Sequence, residues 1–197
     1  MENEAKETKK QGRLFIISAP SGAGKSTLIK AILKDFPLIK YSISHTTRKP
    51  RKGENEGIEY FFIGKEEFKK MIEKNLWAEW AEVHDNYYGT SIKYIEDNIN
   101  SGTNILLDLD VQGAINLMKK YPDSITIFIM PPSMEELKRR LESRGTDTPE
   151  TIAKRLFNAK EEISHKDLYS HIIINDDLNE SIKKITSVVN SYLQLNV

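Results

Sequence analysis

Apolar residues in this chain fall into short continuous runs separated by stretches of helical periodicity. That alternation is expected of strands buried on both faces of a parallel sheet and of helices that cover it. Leu14 to Ala19 is the first run, after which Leu28, Ile29, Ile32 and Leu33 recur at helical spacing until Phe36-Pro37 closes the segment. Ile105 to Leu107, Ile125 to Met130 and His171 to Ile174 read as further strands. The pattern predicts helices from Ser91 to Ser101 and from Gln112 to Tyr121. Another is opened by Ser133, with Glu136 at capping-box spacing, and a last one carries Ile182, Ile185, Val188, Val189 and Leu193 inward. The fold class is α/β with a doubly wound parallel sheet.

Two stretches interrupt this rhythm. Tyr41 to Tyr60 is polar, contains Pro50, Gly53 and Gly57, and crowds Arg48, Lys49, Arg51 and Lys52 together. After it, Tyr60 to Ile63 resembles a strand and Lys65 to Asn75 an amphipathic helix with Phe68, Met71 and Ile72 inward. Trp77 to Val83 alternates as a strand, and Asp85-Asn86 turns into Tyr87-Tyr88-Gly89-Thr90. The whole of Tyr41 to Thr90 reads as an insertion with its own antiparallel sheet. The second interruption is Gly145 to Pro149, a flexible hinge between two helices, flanked by Arg139, Arg140, Arg144 and Arg155. Arg139 or Arg140 reads as surface solvation, whereas Arg144, beside the hinge glycine, is the better functional candidate.

Composition narrows the partners. The 197 residues carry 29 Lys and Arg against 29 Asp and Glu, so no overall basic field is available to hold nucleic acid or an anionic membrane. There are no cysteines, which excludes disulfides, thiolate metal sites and cysteine nucleophiles and fits a reducing compartment. No apolar run reaches membrane-spanning length, and the first eleven residues are charged, so a soluble, cytoplasmic protein with a flexible N-terminal tail is expected.

The candidate chemistry begins at Ala19-Pro20-Ser21-Gly22-Ala23-Gly24-Lys25-Ser26, which follows the first strand and leads into a helix from Thr27. Glycines at 22 and 24 let successive backbone N–H groups turn inward around a polyphosphate. Lys25 supplies counter-charge, Ser26 a hydroxyl for Mg²⁺, and the helix N-terminus its positive end. Ala19 stands where the usual phosphate-loop pattern opens with glycine. Asp108 and Asp110 end the Ile105 strand at the edge where α/β sheets gather ligands. A phosphate loop, strand-end acids, a basic insertion and an arginine-bearing hinge together point to phosphoryl transfer from ATP to an anionic acceptor. A phosphate monoester, with its second pKa about 6, is already a nucleophile and needs no general base; its obstacle is repulsion, which arginines relieve.

SAPSGAGKST, SHTTRKPRKGENEGIEYFF, AEWAEVHDNYYGTS, LLDLDVQG, RLESRGTDTPETIAKRL and IINDDL occur in an order and spacing that resemble the guanylate kinase family. The resemblance runs from about Arg13 to the C-terminal helix. It implies a P-loop NTPase-type core over 12–40, 91–135 and 165–195, a GMP-binding insertion over 41–90 and a helical lid over 136–164, with 1–11 as tail. It implies ATP and GMP as substrates, with dGMP accepted as well, and Mg²⁺ held by Ser26 and, through water, by Asp108. The ATP site would be Ala19 to Thr27, with Asn175 and Asp176 near the adenine. The phosphate of GMP would be held by Arg48, Arg51, Tyr60 and Tyr88, and its base by Ser44, Glu79, Thr90 and Asp110. Lys25, Arg48, Arg144 and Arg155 would be catalytic. A homodimer stays open. The alternatives are a non-catalytic guanylate kinase-like binding module, a kinase for another monophosphate, and a nucleic-acid-binding protein built on the basic run.

Overall fold

The computed structural model describes residues 11–194 apart from 84, 144 and 146. Arg144 and nearly all of the expected tail therefore lie outside the described residues. The central strand is β1 (Leu14–Ser18), and all five of its residues are buried. It pairs in parallel with β7 (Ile105–Asp108) on one side and β8 (Ile125–Met130) on the other. The edges are β2 (Lys40–Tyr41), beside β7, and β9 (His171–Ile174), beside β8, also parallel. Tyr41, where the insertion was expected to begin, is thus a strand residue of the large sheet, opposite Leu106.

Helices cover both faces because β1 is apolar on both. Phe15 and Ile17 pack with Leu28, Ile29 and Ile32 of α1 (Lys25–Asp35) and with Ile185 and Val189 of α7 (Leu178–Gln194). Leu14 and Ile16 face Ile95 of α3 (Ile92–Asn100) and Val111, Ala114 and Leu117 of α4 (Val111–Lys120). Each buried Leu, Ile, Val or Phe side chain among these contributes about 1.5–3 kcal/mol, which fixes the strand that leads into the glycine-rich turn. Because the pairings are parallel, β1 and β7 end on the same side, and Asp108 lies opposite Ile17.

The second sheet has the order β4-β3-β6-β5, formed by β3 (His45–Thr46), β4 (Phe61–Phe62), β5 (Trp77–Val83) and β6 (Asn86–Ser91). It is mixed, not antiparallel as expected: β3 and β4 run parallel, while β3 with β6 and β5 with β6 are antiparallel. A parallel pair needs a crossover of a dozen or more residues. The basic stretch 47–60 supplies it, so that stretch is a crossover and not a hairpin loop.

The strict alternation expected along Trp77 to Val83 also fails. The register shifts between Trp77 and Glu79, and Trp77 and Ala78 are both buried, at 2% and 1% exposure. Trp77 stacks on Phe68 of α2 (Lys65–Glu73), with ring centroids 4.3 Å apart, while Ala78 joins the core under α4. A bulge of this kind re-aims the following side chain, and here that residue is Glu79.

The hinge region forms a helical pair, α5 (Met134–Ser143) and α6 (Pro149–Ser164), closed by Leu137, Leu141, Ile152 and Ala159. The Ser133 hydroxyl accepts from the Glu136 N–H at 3.1 Å, which is half of the expected capping box. The Glu136 carboxylate turns instead to Arg139 and Arg140, each at 2.7 Å.

Candidate active site

The turn after β1 needs glycine because the backbone passes twice through the left-handed region. Gly22 and Gly24 hold φ of +95° and +96°, and a Cβ at Gly24 would collide with the Asn175 amide. Gly24 is also the N-cap of α1 and provides no side-chain cap, a helix opening of the kind that suits an anion. Ala19, Pro20 and Ala23 are buried, whereas Ser21, Ser26 and Thr27 are exposed. Asn175 is buried and donates from Nδ2 to the Ala23 carbonyl at 2.7 Å, tying the loop to the end of β9. The Lys25 ammonium donates to the Leu109 carbonyl at 3.1 Å and forms an ion pair with Asp108.

Beside the loop, between the two sheets, lies a cavity of about 400 Å³ lined by Ser44, Arg48, Arg51, Tyr60, Glu79, Ala81, Tyr88, Asp108, Leu109 and Asp110. It holds two groups of side chains. In the first, the Arg48 guanidinium lies 5.4 Å from the Tyr60 ring centre, and Tyr60 meets Tyr88 edge-on at 5.8 Å. In the second, Glu79 and Asp110 approach each other over Gly113, where an added Cβ would be 3.2 Å from an oxygen of each. Thr90, expected to reach the base, is buried behind Glu79 and donates to its Oε1 at 2.7 Å. Asp110 caps α4, accepting from the Gly113 N–H at 2.7 Å.

The expected residues Ala19 to Thr27, Thr90, Asn175, Arg155 and Asp176 are not part of the cavity lining, and the last two also stand apart from the loop contacts. Arg155 on α6 is paired with Asp147 of the hinge at 3.2 Å, and Asp176 is exposed at the start of the loop before α7.

Comparison with known proteins places this geometry in context. The guanylate kinase family profile matches residues 11–192. The chain belongs to the guanylate kinase family. It is 52% identical over 182 residues to a guanylate kinase of Shewanella violacea, covering 92% of this chain and 88% of that one. It is 46% identical over 181 residues to one of Caldanaerobacter subterraneus subsp. tengcongensis, with the same coverage. A crystal structure of guanylate kinase from Anaplasma phagocytophilum superposes with a TM-score of 0.70 at 37% identity, covering 93% of this chain and 87% of that one.

In this guanylate kinase family member the cavity is electrostatically divided. Burial pushes the Glu79 carboxyl up to about 7, against the opposing effect of the Thr90 hydrogen bond, and the neighbouring Asp110 charge pushes the same way as burial. At the other group, the hydrogen bond to Glu54 holds the Arg48 guanidinium above its ordinary value, so its charge is permanent. Desolvation of its hydroxyl first, and then the Asp108 carboxylate on the adjacent strand, hold Tyr41 above its ordinary value.

Several residues around the guanylate kinase site were not assigned a role in it by the sequence reading. Glu54 accepts from Arg48 Nη2 at 2.8 Å and from the Arg51 N–H at 2.7 Å, pinning the basic crossover. An acid three residues after Arg51 within a basic run was the available clue. Arg140, a candidate for surface solvation, is half-buried and donates from Nη2 to the Asn175 carbonyl at 2.9 Å, linking α5 to the phosphate loop's anchor. Glu162 on α6 is also partly buried, and burial raises its carboxyl while Lys25 lowers it and Asp110 raises it. Among the described residues no group of three or more His, Asp or Glu side chains is arranged to hold a metal ion. The Ser26 hydroxyl and the Asp108 carboxylate are oxygen donors suited to a hard cation whose remaining ligands come from nucleotide phosphates and water.

Proposed function

We propose that the chain transfers the γ-phosphoryl group of ATP to GMP, and to dGMP, giving ADP and GDP or dGDP. One observation carries the reading: a single cavity beside the phosphate loop joins two arginines and two tyrosines to a pair of carboxylates. The first group suits a phosphate dianion through charge-assisted and neutral hydrogen bonds. The second suits guanine, whose N1–H and 2-amino group are donors, while adenine offers a bare N1 acceptor. A buried site expecting donors can reject the wrong base by roughly 10⁴ to 10⁵.

In this mechanism Arg48, Arg51, Tyr60 and Tyr88 orient the GMP phosphate and offset its charge against ATP. Ser44, Glu79 and Asp110 take the base, with Thr90 holding Glu79 in place. Residues Ala19 to Thr27 cradle the ATP phosphates. Lys25 leaves Asp108 for them, freeing that carboxylate. Mg²⁺ bound with ATP would be held by Ser26 and, through water, Asp108, and supplies charge neutralisation at the transferring group. Arg155 of α6 would approach the phosphates as the helical pair closes, with Arg144, which lies outside the described residues, assigned the same role, and Asn175 and Asp176 would border the adenine end. A cytoplasmic location is the one that substrates of this kind support. Among the described residues no helix is long and apolar enough to cross a membrane.

Radiolabel from γ-labelled ATP is expected to appear in GDP, in a manner dependent on Mg²⁺ and lost in Lys25→Ala. Label released only as inorganic phosphate, or GMP binding without transfer in the intact protein, would favour a non-catalytic module of the same family.

A further inference from the structure

Gly113 stands in the first turn of α4, where glycine is a poorer helix former than alanine. Its backbone is helical, so conformational freedom does not explain the residue. Its surroundings do. A Cβ at this position would lie 3.2 Å from Asp110 Oδ1 and 3.2 Å from Glu79 Oε2, inside ordinary carbon-to-oxygen contact. Asp110 Oδ1 is held directly, and Glu79 Oε2 only through the other oxygen of its carboxylate. Asp110 Oδ1 accepts from the Gly113 N–H at 2.7 Å, and the partner oxygen of Glu79, Oε1, accepts from Thr90 at 2.7 Å.

We propose that Gly113 is a specificity-determining position: its missing side chain and its N–H together set the spacing at which Glu79 and Asp110 accept from one guanine ring. The inference rests on the reading of those carboxylates as the base site. Glycine here allows two like-charged groups to share one small volume, where burial and the Asp110 charge already disfavour ionised Glu79. A methyl group would push the Glu79 carboxylate, which caps no helix, off its position by a few tenths of an ångström while Asp110 stays bonded to the residue 113 N–H, so that an acceptor is misplaced without disturbing the helix.

The test is Gly113→Ala, assayed with GMP, with IMP, which lacks the 2-amino group, and with ATP as the varied substrate, alongside thermal melting. KM for GMP is expected to rise roughly tenfold. The preference for GMP over IMP falls, the ATP constant stays unchanged, and the melting temperature is equal or higher, since alanine favours the helix. In a double-mutant cycle with Glu79→Asp, whose shorter side chain withdraws from the methyl, the alanine costs less than in the parent. Unchanged GMP constants in a folded variant would overturn the proposal. So would a joint loss of both substrates' affinity with a lower melting temperature, the mark of a helix defect. If the parent protein does not phosphorylate GMP, or Glu79→Gln leaves its KM unchanged, the base-site reading itself fails. If those behave as expected and only Gly113→Ala is silent, the failure belongs to the inference alone.

Discussion

The Thr90 hydroxyl donates to Glu79 Oε1 across 2.7 Å, from a residue only 1% exposed. The bond orients the carboxylate and favours its ionised form, opposing the burial that raises its pKa. Replacing Thr90 by valine keeps the shape and removes both effects. A hydrogen bond to a charged group contributes about 1.5–3 kcal/mol, so KM for GMP is expected to rise roughly tenfold or more in Thr90→Val. Steady-state kinetics with ATP saturating would check it, and the ATP constant should not move.

Glu79 gives the site a pH signature. A carboxyl at about 7 must lose its proton to accept two N–H donors, so GMP binding weakens as the pH falls through 7. The phosphate of GMP adds its own titration only near its second pKa of about 6. Profiles of KM for GMP should show an inflection near 7 that vanishes in Glu79→Gln.

The same carboxyl affects stability in the opposite sense. The folded state keeps the proton up to about 7, whereas an unperturbed carboxyl releases it near 4.5, so stability falls as the pH rises between those values. The gap corresponds to at most about 3 kcal/mol. Substrate-free Glu79→Gln is expected to melt higher than the parent at about pH 8 and to lose that advantage near about pH 4.5, as thermal unfolding can show.

Much of the fold was legible in the sequence because it depends on local patterning. The buried strands, the helical faces and the Gly22 to Ser26 turn all follow from periodicity and from what backbone conformations demand. The position of Glu79 was not legible in that way. Trp77 to Val83 was read as an alternating strand, and only packing of both Trp77 and Ala78, into different cores, shows why the strand bulges. The parallel pairing of His45–Thr46 with Phe61–Phe62 was hidden because a long polar stretch reads alike as loop or crossover. Arg140 was hidden for a related reason: helical arginines look the same in sequence whether they face water or, as here, the Asn175 carbonyl.

Glu54 connects the crossover to the phosphate group of the site. By accepting from both the Arg48 guanidinium and the Arg51 N–H, it fixes the loop before any substrate arrives. Glu54→Gln is expected to raise KM for GMP several-fold with the ATP constant unchanged, and to leave the far-ultraviolet spectrum and melting temperature nearly as they were.

Asn175 should act on the other substrate. Its amide satisfies the buried Ala23 carbonyl, and alanine there leaves that carbonyl unpaired at a cost of about 1–3 kcal/mol. Asn175→Ala is therefore expected to lower the melting temperature and to raise KM for ATP more than KM for GMP.

The central claim is that Glu79 and Asp110 select guanine for a phosphoryl transfer run by the loop at Lys25. Initial rates of ADP formation with ATP and Mg²⁺ against GMP, AMP, CMP and UMP test it most directly. The account expects kcat/KM for GMP to exceed that for AMP by roughly 10³ or more, with most of that margin lost in Glu79→Gln. Equal or better turnover of AMP, or a preference for GMP that survives the substitution, would contradict it.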